Sequence, residues 1–371
     1  SLTVTNSSLF NNRAGQSGDA NNPGHGGTVA GAGLLRISST GIQSSTATGN
    51  GGAIVFSGTL QITNAGIVSA TAAGSGGAIL LEGGEFVFTN ASFSRNRSNG
   101  DGGAVMALNA SGAITGGLWS ENQALLNGGC LRMTGARLAI NTAIFQDCTA
   151  LSLGGAIHSN VRLYLSDVQL IRNSANNLGG ALLTDFALTG GSEAVIARSV
   201  LTGNTTLGFG GAIYSTVPLT VSDTLLAQNQ ASNGGGAITA DDHILLERND
   251  FLDNRVVSPV GAGGGALYLL SGSLSSHQNL YQNNRSAARG GAWFLLGAAT
   301  GVNDSFGGNS AAAGGGAISA ERPVTVSHSA FYTNTGATAG ALALTGSNGE
   351  RNLVHHNVFS ANAVSGTAEL N

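Results

Sequence analysis

Residues 306–318 read Phe306-Gly-Gly-Asn309-Ser-Ala-Ala-Ala-Gly-Gly315-Gly316-Ala317-Ile318, and this stretch decides the fold. It holds two marks: an aromatic followed three places on by Asn, and a Gly-Gly-Ala corner that opens six residues after the Asn. Both marks recur along the chain. The third corner position falls at Thr28, Ala53, Ala78, Ala104, Cys130, Ala156, Ala181, Ala212, Ala237, Ala266, Ala292, Ala317 and Ala341, mostly in steps of 25 or 26 residues. The first mark recurs as Phe93/Asn96, Trp119/Asn122, Leu170/Asn173, Leu201/Asn204, Leu226/Asn229, Phe251/Asn254, Tyr281/Asn284, Phe306/Asn309, Phe331/Asn334 and Phe359/Asn362.

Between the marks run short alternating stretches such as Pro323-Val-Thr-Val-Ser327 and Leu267-Tyr-Leu269. Alternation of period two marks half-buried strands, and no segment sustains a helical period. The repeat is too short for a propeller blade of about 40 residues. The pattern predicts an all-β fold, a single right-handed parallel β-helix of about 14 coils over residues 1–371. Coils stacked at roughly 4.8 Å would turn like residues into columns and give a rod of roughly 65–70 Å. Phe93, Trp119, Phe251, Phe306 and Phe331 then form a core stack. Asn96, Asn122, Asn254, Asn309 and Asn334 form an amide ladder that satisfies a buried turn. These slots are read as structural.

Composition narrows the function. The chain has 371 residues with 59 Gly, 9% charged residues and a net charge of -4, and all 15 basic residues are Arg. So small a charge, with no basic cluster, excludes electrostatic capture of nucleic acid. No apolar run approaches the roughly 18 residues that a membrane-spanning helix needs. Two cysteines exclude a disulfide-stapled scaffold and a cysteine-rich zinc site.

The tandem Gly-Gly-Ala-Ile at 51–54, 76–79, 154–157, 210–213, 235–238 and 315–318, paired with Phe-x-x-Asn at 93–96, 251–254, 306–309 and 331–334, resembles the repeat signature of the chlamydial polymorphic membrane proteins. The resemblance covers nearly the whole chain. It implies an autotransporter whose β-helical passenger stands on the cell surface, secreted across the outer membrane, and acts in adhesion. The C-terminal β-barrel of that family is not in this sequence, which ends in Ser365-Gly-Thr-Ala-Glu-Leu-Asn371. The lack of an initial Met and of end caps is read as an excised piece or a stacking subunit.

Regular coils are scaffold, so function is expected in departures from the period. The candidate contact loops are Arg13 to His25, with Asp19, Asn21 and Asn22; Asp185 to Glu193; Arg255 to Gly263, with Pro259; and a smaller one from Gly346 to Arg351. A polar column lies three places before the aromatic slot and alternates Asp167, Arg198, Asp223, Arg248. It is read as a cross-coil ion ladder that sets register. Cys130 takes an Ala slot and Cys148 an Asn slot one coil later. Two buried thiols are expected, with a disulfide across the lumen as the alternative.

An enzyme on this fold would need converging carboxylates. Asp241-Asp242-His243 is the nearest approach, and residues adjacent in a strand point to opposite faces, as would His355-His356. The reading is therefore non-enzymatic, with no cofactor and no metal. The expected partner is a receptor or glycan on a host or neighbouring cell, with head-to-tail self-association into a fibre as the alternative.

Overall fold

The computed structural model describes residues 1–15, 24–185, 193–345 and 351–365. Among these there is no helix, and the strands form three parallel sheets. The thirteen corners enclose about 12 turns; the expected fourteen coils include a partial one before the first corner and one after the last. The chain divides into two compact units, Ser1–Asn176 with Ala181–Glu193, and Asn177–Gly180 with Ala194–Asn371.

One coil of the first unit shows the plan. A long strand, Ile79–Thr89, is followed by Asn90; then Ser92–Ser94, Arg95, and Arg97–Ser98. The chain then turns at the Gly corner and begins again. Ile79 pairs with Val105, Phe93 with Trp119 and Ser98 with Ala124, so the pairing step is the sequence period itself. At the corner Gly76 has φ +67°, which glycine alone adopts without strain. Gly77 is required for a different reason. A Cβ there would stand 2.0 Å from the Gly103 carbonyl oxygen of the next coil.

The units differ in the long sheet. In the first, single strands of 10 or 11 residues run unbroken from Val29–Ser38 to Ile157–Ser166. In the second each is split in two, as in Ile213–Ser215 and Leu219–Ser222, or Ile238–Ala240 and Ile244–Glu247. Pro218 and Pro323 fall at such breaks, where a residue without an N–H cannot continue a ladder.

Inside, the columns form. In the second unit Phe251, Tyr281, Phe306, Phe331 and Phe359 stack at 4.7 to 4.9 Å with interplanar angles of 15° or less. The asparagine column bonds as a ladder: Asn254 Oδ1 accepts from the backbone N–H and Nδ2 of Asn229, both at 3.0 Å. Asn254 Nδ2 donates to the Leu226 carbonyl at 2.8 Å and to Asn284 Oδ1 at 3.0 Å. In the first unit Asn96 and Asn122 do the same.

Three findings depart from expectation. Cys130 and Cys148 form a disulfide with Cα atoms 5.7 Å apart, not two thiols. The asparagine rung and the corner slot face each other: Asn122 Nδ2 lies 3.0 Å from Cys130 Sγ, and Cys148 occupies the next rung. Eight residues along the chain thus become one contact across the turn. Second, the polar column, whose polarity already places it outward or in a turn, is a column of left-handed backbone: Asp167, Arg198, Asp223, Arg248, Gln278, Asn303, His328 and His356 have φ of 47° to 57°. A matching column, including Arg95, Glu121, Asp147, Arg172 and Asp253, precedes the asparagine ladder with φ of 51° to 56°. Third, this geometry breaks strand alternation at His356, so the Nδ1 atoms of His355 and His356 meet at 2.7 Å instead of pointing apart.

Candidate functional site

The period of the second unit opens widest at residues 255–263, and the structure builds a pinned loop there. It leaves the short strand Arg255–Val256. The Val257 and Ser258 amides donate to the carbonyls of Ala231 and Ser232 in the preceding coil, and Ala262 returns to Asn233. The Gly261 N–H closes a turn on the Ser258 carbonyl at 3.2 Å. Pro259 stiffens that turn, and Val260 at its tip is 92% exposed. Arg255 lies at the root, with Nε donating to Gln230 Oε1 at 2.6 Å.

Beside the loop's return, where Gly263 bridges Gly234, is an aromatic footing that the sequence reading missed. Phe209, Tyr268 and Phe294 stack at 6.0 and 5.3 Å, two of them from the column two places past the corner Ala. Gly234 fits between: a Cβ on it would stand 2.7 Å from the Tyr268 ring. Burial raises the Tyr268 phenol pKa above its ordinary value. The Arg289 guanidinium sits 4.2 Å over the Phe294 ring and pairs with Glu321. Arg289, Glu321, Phe294 and Ser319 are among the residues that line a groove of about 290 Å³. The column is hard to find in sequence because in other coils it holds Val55, Leu80, Met106, Arg132 and His158.

The other candidate residues are dispersed. Arg13 lies exposed on a two-residue strand, and exposed His25 accepts the Asn50 N–H at Nδ1, 2.9 Å away. Asp19, Asn21 and Asn22 lie outside the described residues. Asp185 and Glu193 pin the two roots of their insertion to one coil of the first unit. Asp185 Oδ2 is 3.2 Å from His158 Nε2, and Glu193 Oε1 accepts the Tyr164 hydroxyl at 2.5 Å. His158 is buried with Arg132 and Asp101 nearby, and desolvation lowers its pKa, with Asp185 opposing. In the ion column Arg248 grips Asp223 through two bonds of 2.7 and 3.0 Å. Arg198, Asp223 and Arg248 line one open groove of about 440 Å³. Asp167, in the same column, accepts a bond from Ser166 Oγ at 2.6 Å. A second two-bond pair, Arg172 on Asp147, stands in the other left-handed column and was not foreseen.

Asp241 accepts from Ser271 Oγ at 2.8 Å while Asp242 caps the His243 N–H at 2.6 Å, so their carboxylates serve different partners. Among the described residues no group of three or more His, Cys, Asp or Glu can hold a metal ion. No described helix is long and apolar enough to cross a membrane.

These features define a class: a parallel β-solenoid that stacks asparagine and aromatic ladders inside and carries its variation in loops and outer columns. Residues 198–216 match the model of the Chlamydia polymorphic membrane protein repeat. That segment spans Leu201-x-x-Asn204 and Gly210-Gly211-Ala212-Ile213, one copy of each mark. Match and solenoid together fit a β-helix repeat protein of this type, and they support a surface protein resembling an autotransporter passenger. No curated protein and no solved structure matches the chain.

Proposed function

We propose that the chain is a non-enzymatic β-solenoid displayed at the cell surface after secretion across the outer membrane, and that it acts in adhesion. The observation that carries this reading is the loop at 255–263. An apolar tip, Pro259 and Val260, is held in solvent by a turn bonded to a rigid coil. An exposed apolar side chain on an ordered base loses little entropy on binding and is suited to a partner's pocket. The partner is a receptor or glycan on a host or neighbouring cell. The Cys130–Cys148 disulfide supports an oxidising, extracytoplasmic setting. The test is binding of the purified chain to cell layers. Val260→Asp, or a turn shortened by four residues, should abolish binding without moving the melting temperature. Full binding by the shortened variant overturns the reading.

A second reading, self-association by stacking, is favoured by the coil at 353–364. It exposes Leu353, Val354, Val358 and Phe359; the counterparts of Val354 and Phe359 one coil earlier, Val326 and Phe331, are buried. Electron microscopy over a concentration series separates the two: long fibres support stacking, and single particles at all concentrations exclude it.

A further inference from the structure

A second polar ladder runs beside the first in the lower lumen of the second unit, and one of its rungs carries the wrong chemistry. Asn249 Nδ2 donates to the Val221 carbonyl at 2.8 Å and to Asn279 Oδ1 at 3.0 Å. Asn279 Nδ2 donates to the Leu246 carbonyl at 3.0 Å and Ser276 Oγ at 2.9 Å. Each asparagine thus accepts with one end and donates with the other. At the next rung stands Asp304, only 2% exposed. Its Oδ1 accepts the Asn279 backbone N–H at 2.8 Å, as an asparagine would. Its own N–H donates to Ser329 Oγ at 3.1 Å. Oδ2, the counterpart of the amide nitrogen, is buried without a hydrogen-bond partner.

An ionised carboxylate only accepts, so Oδ2 cannot donate where its neighbours donate. A protonated carboxyl has the shape and the donor–acceptor pattern of the asparagine side chain. The groups around the site are Ser276, Asn279, Tyr281, Trp293 and Gly301, and none carries a positive charge. Tyr281, the other titratable group, is fully buried, and desolvation raises its phenol pKa well above the ordinary value, so it stays neutral. We propose that Asp304 is a proton-operated lock: protonated, it completes the ladder, and its ionisation loosens the coils it joins.

Burial pushes the Asp304 pKa up to about 7, against the opposing pull of Asn279 and Ser276. The folded value lies above the unfolded one. The stabilisation is therefore full below the ordinary aspartate range and is lost as pH rises through about 7. The lock is closed in mild acid and open in mild alkali, the reverse of a salt-bridged carboxylate.

The experiment is the melting temperature of the full chain between pH 5 and pH 8.5 for wild type, Asp304→Asn and Asp304→Ser. Asparagine is the residue of the rungs below and serine that of the rung above, so both fit the ladder. Relative to both variants, the wild type should lose several degrees across that range and melt lower than either at the alkaline end; the buried His158, whose lowered pKa also makes stability depend on pH, is common to all three and drops out of the comparison. A variant profile parallel to wild type overturns the proposal. Carboxyl carbon resonances of wild type labelled at aspartate give an independent readout that needs no variant to fold. One carboxyl should titrate near neutrality; if every aspartate titrates in the ordinary acid range, the lock does not exist.

Discussion

The indole of Trp293 lies against the α-carbon of Gly301, where an added Cβ would come within 3.1 Å of the ring. The two belong to facing columns of the lumen, and each is out of size for its own. Trp293 pairs with Leu267 and Ile318, while Gly301 pairs with Ser276 and Val326. The large residue fills the space that the small ones leave, and packs edge-on against Tyr281 and Phe306 at 5.2 and 4.9 Å.

Gly301→Val restores the residue type of the next coil yet should destabilise by about 1–3 kcal/mol, because its Cβ would crowd both the indole and Asp304 Oδ2, each 3.1 Å away. Adding Trp293→Leu should recover the part of that loss due to the indole, since residues in contact are coupled, while the contact with Asp304 Oδ2 remains. Chemical denaturation of both single variants and the double variant gives the coupling energy. Simple additivity would show that the two columns do not compensate.

The disulfide replaces one alanine corner and one asparagine rung, so Cys130→Ala with Cys148→Asn returns both slots to their column identity. A cross-link over a sequence separation of 18 is worth about 3 kcal/mol. The restored rung returns about 1 kcal/mol per hydrogen bond. A rung of this ladder makes up to four side-chain bonds, so the two effects nearly offset, and the double variant should fold with a stability within about 1 kcal/mol of the oxidised protein. Non-reduced mass spectrometry should find no free thiol in wild type; finding two would remove the bridge from the account.

Asn254→Ala removes two donated and two accepted bonds at a fully buried rung. Unsatisfied buried groups cost roughly 1–3 kcal/mol each, so the loss should be at least about 3 kcal/mol. The same denaturation experiment measures it. A loss under 1 kcal/mol would mean that the neighbouring amides re-pair without this rung.

The Arg248–Asp223 pair makes the opposite case. Hydrogen bonding to Arg248 holds the Asp223 carboxyl below its ordinary pKa. Any contribution is thus present above the ordinary aspartate range and lost as pH falls below it, through the lowered folded value. Both side chains stand in water, where such pairs are screened and weak. Asp223→Ala should leave the melting temperature unchanged in low and in high salt. A clear salt-dependent drop would make the ladder a structural device after all.

Much of this was legible because the period is written in residues with one use each. Gly76 and Gly77 announce a corner, and Phe306 with Asn309 announce a core stack and a buried amide. The polarity of the Asp223 and Arg248 column already marked an outward or turn position, but its left-handed conformation was not legible, because the backbone sets it and the slot accepts Arg248 as readily as Asn303. The second ladder was hidden because its rungs mix Thr224, Asn249, Asn279, Asp304 and Ser329. The aromatic footing escaped for a similar reason: Tyr268 and Phe294 share their column with Thr239 and Ser319. The disulfide was misjudged by counting residues along the chain, when the turn had folded that distance away.

The two left-handed columns carry one further consequence. Each coil holds one such position per column, projecting from a fold whose conformation there does not depend on which side chain is present. A non-glycine residue costs about 1–2 kcal/mol in that backbone, whether it is acidic, basic, amide or imidazole. The outside of the solenoid is therefore ruled like lined paper, with a line roughly every 4.8 Å. Successive substitutions can rewrite what the surface presents, one line at a time, and leave the page beneath unchanged.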